Sequence, residues 1–381
     1  MLQSRQNGLM PSRHDSYTPA APGDDALGVA LVIPMRGPAG IFGPACELCA
    51  RLAAEEVNRH GGVLGRELTL VPVDGGAPPR EIAAEVQRLI AEGAVHGVTG
   101  WHISSVRQAL APRLAGRVPY VYTALYEGGE HTEGVYLTSE TPDAQLQPAV
   151  RLLAREHRIR RWFIVGNDYV WPRRTARAAA GYARATGGHV TGAAFLPLGT
   201  HDFGPTLQRI ERSDADAVMM LMVGSDAVRF NRAYAAAGLD ARAIRLSTLM
   251  DENMLAAGGP DAHRGLFATA GFFAGLAGQD AMDFHGAYAQ AFGVTAPQPG
   301  SLGESCYEGV RLLAALIERA GSLDIPVIER ATGTGTIGYD GPRGHLRIAP
   351  DRHVRQRIYL ARANGMDFDV AAELDQPHYF P

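Results

Sequence analysis

Asn58-Arg59-His60-Gly61-Gly62-Val63-Leu64-Gly65-Arg66 decides the fold, because this stretch ends a helix and starts a strand. Upstream, residues 45–57 set Leu48, Leu52, Ala53, Glu56 and Val57 at helical spacing. The pair Gly61-Gly62 supplies the positive-φ positions at which such a helix stops. Downstream, Leu68, Leu70, Pro72 and Val73 form an apolar run of strand length that Gly75-Gly76 closes. The apolar run 27–34 in front completes a strand, helix, strand unit.

Outward from this unit the alternation continues. A helix is predicted over 80–92, with Ile82, Val86, Leu89 and Ile90 on one stripe, then a strand over 95–99, a helix over 105–114 and a strand over 118–122. A second copy of the rhythm runs from the helix at 144–156 to the strand at 217–222. Such alternation predicts parallel, doubly wound sheets with functional loops at the carboxyl ends of their strands. A chain of 381 residues, 46% of them hydrophobic, suits two domains. The expected architecture is therefore α/β, two doubly wound lobes joined by a multi-crossover hinge. Residues 27–142 plus 270–342 are expected in the first lobe and 143–269 plus 343–381 in the second, after a disordered tail over 1–26. Asn364-Gly365 predicts a hairpin near the C-terminus.

Thirty-six basic residues against 40 acidic ones give a net charge of -4, which provides no footprint for direct nucleic-acid binding. Cys46, Cys49 and Cys306 are too few for a disulfide framework, and Cys46-x-x-Cys49 inside a helix reads as a packed face rather than half a metal site. A reducing compartment is the simpler assumption. The first 26 residues hold no apolar stretch of signal-peptide length, and no later run approaches the ~18 apolar residues of a membrane span. A soluble, cytoplasmic protein is expected. Gly333-Thr334-Gly335-Thr336-Ile337-Gly338 matches a dinucleotide-binding string, but Tyr339-Asp340-Gly341-Pro342 follows where a helix is required. No nucleophile elbow, zinc-protease motif or Walker loop is present, so no catalytic residue, metal or cofactor is expected.

The pattern Asn58, Gly61, Gly62, Val63 and Gly65, followed by a strand ending in Asp74, resembles the type I periplasmic-binding-protein superfamily from about Leu27 onward. Within it the chain looks most like short-chain amide receptors, the negative regulators of aliphatic amidase expression, and urea-binding ABC receptors. The resemblance implies a Venus-flytrap cleft. Gly100-Trp101-His102-Ile103-Ser104-Ser105 matches the family's first binding loop; Ser104 and Ser105 also read as helix caps. Tyr122-Thr123-Ala124-Leu125-Tyr126-Glu127-Gly128 matches the second, with Ala124 and Leu125 where the amide receptor has threonine and proline. Gly166-Asn167-Asp168-Tyr169-Val170-Trp171-Pro172 matches the facing loop, whose tyrosine closes over the ligand; Trp171 walls the pocket or covers a helix end. Gly224 and Asp226 occupy the next equivalent loop, where Asp226 reads more readily as helix-starting charge. Thr248, Asp251 and Glu252, and an apolar wall at Phe272-Phe273, complete the candidates.

The resemblance implies a non-enzymatic cytoplasmic sensor of a small neutral amide or urea-like ligand. It further implies a regulatory protein partner, an antiterminator or transcriptional activator, controlling amide- or nitrile-degrading enzymes, with a homodimer left open. The alternative is the solute-binding protein of an ABC transporter for urea, amides or branched-chain amino acids.

Overall fold

The structure is a computed structural model and describes residues 26–375. The tail expected over 1–26 lies, but for Ala26, outside the described residues. Strand β1 (Leu27–Ile33) is buried along its whole length, as befits a central strand covered on both faces. It leads to helix α1 (Gly43–Arg59) and strand β2 (Leu68–Asp74). The deciding stretch is held by Asn58. Its amide donates to the Leu68 carbonyl at 2.9 Å and accepts from the Leu68 N–H at 2.8 Å, clamping the end of α1 to the start of β2. Between them Gly61 and Gly62 take φ of 103° and 75°, conformations that a side chain resists.

The first lobe continues through α2 (Pro79–Ala91), β3 (Gly97–Gly100), α3 (Ser104–Leu114), β4 (Tyr120–Tyr122) and β5 (Val135–Leu137). Its sheet is all parallel, in the order β2-β1-β3-β4-β5. The second lobe starts with α4 (Pro142–Glu156), β6 (Arg161–Asn167), α5 (Val170–Ala185), β7 (His189–Leu196) and α6 (Gly204–Arg212). It goes on through β8 (Ala217–Leu221), α7 (Gly224–Ala236), β9 (Ile244–Ser247), α8 (Glu252–Gly258) and β10 (Leu266–Ala270). The chain then returns through α9 (Gln279–Phe292), α10 (Ser301–Ala320) and α11 (Ile325–Thr332), and α10 packs along α1.

The C-terminal segment divides between the lobes. Strands β11 (Gly338–Gly341), β12 (Gly344–Ile348) and β13 (Val354–Arg355) form a small antiparallel sheet of their own beside α10. Residues 344–355 were expected with the second lobe; they stay with the first because β12 completes a tight hairpin with β11. Only β14 (Tyr359–Asn364) and β15 (Asp367–Glu373) add to the second sheet, ordered β15-β14-β10-β9-β8-β6-β7, with Gly365 in the expected hairpin turn at φ 67°. The string 333–338 leads into strand β11, so no helix stands there to hold a pyrophosphate.

Among the described residues three crossings join the lobes, near Glu140, Gly271 and Gln356. They are knotted at one place. Glu140 accepts the Gly271 N–H at 2.7 Å, and the β11–β12 turn delivers Arg343 beside them, bonded to Glu304 at 3.1 Å and to Glu308.

Candidate functional site in the interlobe cleft

The carboxyl ends of both sheets face one another across a closed cleft. The N-terminus of α7 packs on the 3-10 turn Pro38–Phe42, and Gly224, at φ 50°, approaches the Pro38 carbonyl so closely that a Cβ would overlap it. At the far side the Asn253 amide donates to the Gln298 carbonyl at 2.8 Å and accepts the Gln298 N–H at 3.1 Å.

Ser104 opens α3 with a buried side chain whose Oγ lies beside the Tyr122 hydroxyl, which itself donates to the His102 carbonyl, and meets no other partner among the described residues. No side chain caps this helix, and the N–H groups of Ser104 and Ser105 precede its hydrogen-bonding ladder. Together they offer donors and a positive helix end to an oxygen atom. From the other lobe Tyr169, half-buried at the start of α5, lies within electrostatic reach of Tyr122 and Glu127. Burial, and then those two neighbours, hold the Tyr169 hydroxyl well above its usual pKa, so it stays a neutral donor. Trp171 is buried with its ring 6.2 Å from that of Tyr169, as a wall behind it.

Other candidates are used by the protein itself. Both ring nitrogens of His102 are taken, Nδ1 by the Val32 carbonyl at 3.0 Å and Nε2 by the Tyr120 hydroxyl at 2.6 Å. Burial pushes its pKa down to about 4, leaving a neutral brace between β1 and β4. Tyr122 donates to the His102 carbonyl at 2.8 Å, and the Tyr126 hydroxyl pairs with His353 Nε2 at 2.5 Å. Arg107 lies over both tyrosine rings, 5.3 and 4.5 Å from their centroids, and bonds Glu127 at 2.8 Å and Glu130 at 3.1 Å. That buried group pins the second binding loop to α3 and leaves Ala124 packed out of water.

Asp226 accepts from the Asn167 amide at 2.7 Å, the Gly199 N–H at 2.9 Å and Arg229, so it braces second-lobe loops rather than reaching the cleft. Gly224 serves lobe-to-lobe contact. Phe273 packs against Phe368 with centroids 5.1 Å apart and the rings tilted by 55°, while its neighbour Phe272 lines the cleft.

At the hinge end the closed lobes leave a small cavity, with ≈ 20 Å³ open to the centre of a water molecule. Trp101, Thr123 and Glu304 wall it from the first lobe, Gln145 and Thr248 from the second, and Phe272 from the crossing between them. A larger ligand requires the lobes to part. Sequence reasoning missed Gln145, Glu304 and Arg343 on this wall; they lie on α4, α10 and a hairpin turn, outside the strand-tip loops that the pattern singles out. Among the described residues no cluster of metal-ligating side chains occurs, and the three cysteines are free and buried.

A cleft of this kind between two doubly wound lobes matches the family model described as periplasmic binding protein over residues 26–367. The chain belongs to that family. The Leu/Ile/Val-binding protein homolog 6 of Brucella melitensis is 27% identical over 352 residues, covering 88% of this chain and 87% of its relative. Among solved structures, the ABC-transporter solute binding protein of Rhodopseudomonas palustris HaA2, in complex with p-hydroxybenzoic acid, aligns with a TM-score of 0.81 at 24% identity, covering 94% of this chain and 98% of the other. The branched-chain amino acid transporter substrate binding protein of Streptococcus pneumoniae, in complex with isoleucine, aligns at 0.79 and 17%, covering 92% and 100%. These likenesses show the periplasmic-binding-protein-like I fold with two lobes. The amide-receptor branch and a cytoplasmic location find no support among them. No helix among the described residues is long and apolar enough to cross a membrane.

Proposed function

We propose that this periplasmic-binding-protein family member is the solute-binding component of an ABC-type importer. It holds a small carboxylate or amide between its lobes and leaves its covalent bonds intact. One observation carries the reading: the buried Ser104 Oγ beside the Tyr122 hydroxyl at the uncapped start of α3, with Tyr169 at the start of the opposite lobe's α5, which packs on α3. Hydroxyl and N–H donors around a helix N-terminus suit a carboxylate or carbonyl oxygen. The relatives' names support transport over the regulatory reading. The residues that pointed to an amide sensor also serve elsewhere, since Tyr126 is bound to His353 and Glu127 to Arg107.

Isothermal titration with leucine, valine, benzoate, 4-hydroxybenzoate, propionamide and urea tests the proposal. Binding of at least one, weakened tenfold or more by Ser104→Ala and by Tyr169→Ala, is the expected result. Binding that both variants leave intact places the ligand elsewhere, and no binding by any of the six rejects the proposed ligand class.

A further inference from the structure

We infer that the hinge end of the cleft is a subsite for one uncharged oxygen atom of the ligand, a hydroxyl or oxo oxygen, held between Trp101 Nε1 of the first lobe and the Thr248 hydroxyl of the second. The inference rests on the proposed function and narrows it to small carboxylates or amides that carry such an oxygen.

The indole of Trp101 is 2% exposed and stands edge-on to Phe42, with ring centroids 4.7 Å apart. Its N–H is a donor only, and it has no acceptor among the described residues. Across the cavity Thr248 is 4% exposed and its Oγ1 also lacks a partner. The Gln145 amide fixes that second wall by donating to the carbonyls of Thr248 at 2.8 Å and Thr269 at 2.5 Å. Two buried residues from opposite lobes thus line one cavity, each with a polar group that lacks a partner, and a donor left unpaired on burial costs the free energy of its lost hydration.

The size and charge of the cavity select what satisfies them. Its ≈ 20 Å³ admits a single water-sized group, so water occupies it without ligand and one ligand atom displaces that water. Arg343 shares the wall with Glu140 and Glu304, but its guanidinium is already bonded to Glu304 and Glu308. An anionic oxygen is therefore disfavoured and a neutral one fits. A hydrogen or methyl at that position leaves the indole N–H unpaired, which is how such sites reject analogues lacking the polar atom.

Titration of matched pairs differing by that oxygen tests the subsite: benzoate and 4-hydroxybenzoate, valine and threonine, propionamide and lactamide. In a pair that binds, the oxygen-bearing member should bind the native protein at least tenfold tighter. Trp101→Phe should abolish that preference, weakening the oxygen-bearing member at least tenfold more than the other, since an aromatic ring remains while the indole N–H is lost. Thr248→Val serves as the second variant if Trp101→Phe fails to fold, with thermal unfolding as the check. Equal weakening of both members makes Trp101 a plain wall and overturns the subsite, as does a native protein without preference. Binding by no pair overturns the proposed function itself, and the subsite with it.

Discussion

Gly224 of the second lobe lies against the carbonyl oxygen of Pro38 in the first, at a φ of 50° that any side chain would resist and with no room for a Cβ. This contact exists only while the cleft is closed. Gly224→Ala should therefore strain closure far more than folding of either lobe. The expected outcome is a larger radius of gyration in small-angle scattering, with ligand affinity reduced tenfold or more and unfolding little changed.

Asp251 and Glu252 carry a pH dependence. They open α8 in the second lobe, and a Cβ on Gly300, which precedes the first-lobe helix α10, would sit 2.8 Å from Glu252 Oε2 and 3.1 Å from Asp251 Oδ2. Neither of these oxygens has a partner among the described residues. Burial raises Asp251 to about 6; burial and then the neighbouring Asp251 raise Glu252 to about 7. Raised carboxyl pKa values mean that the closed, folded state binds more protons than the open or unfolded chain. Stability and closure should hence increase as pH falls from above 7 toward 4, the ordinary carboxylate range. Asp251→Asn keeps the oxygen that accepts the Met254 N–H at 3.0 Å, and Glu252→Gln the one that accepts from Ala274 at 2.8 Å. Each should stabilise the protein at pH 8 by about 1 kcal/mol and flatten the profile, read by chemical denaturation across that range.

Arg107 is the cation of a buried group. Its side chain is 3% exposed and that of Glu127 is fully buried. Arg107→Ala would leave Glu127 and Glu130 without their cation, at a cost of about 3–5 kcal/mol by denaturant titration. Removing charge from both sides in Arg107→Met with Glu127→Gln should recover much of that loss. A double-mutant cycle reads the coupling directly.

Much of the architecture was legible because period and punctuation agreed. Asn58 and the glycines after it carry their meaning locally, through a side-chain clamp on Leu68 and two positive φ angles. The helix over 80–92 and the second-lobe rhythm were readable for the same reason, since each amphipathic stripe or apolar run sits within one window. Strand β13, of two residues, is too short to announce itself.

The candidate site was legible only in part. Loop position put Trp101, Ser104, Thr123 and Tyr169 at strand ends beside the cleft, but did not show where each polar atom points. His102, Tyr122, Tyr126 and Asp226 stand in the same loops and spend their polar groups on Val32, His102, His353 and Asn167, partners between 20 and 227 residues away in sequence.

By itself the amino-acid sequence determined two doubly wound lobes and the loops that lie between them, because helix stops, strand lengths and hydrophobic periods are properties of neighbouring residues. Only the tertiary structure decided which of those loop side chains remain unpaired toward the cleft, and that Gln145, Glu304 and Arg343 join them. Hydrogen-bond satisfaction depends on atoms brought together from separate turns of the chain, and no local pattern records which partner each will meet.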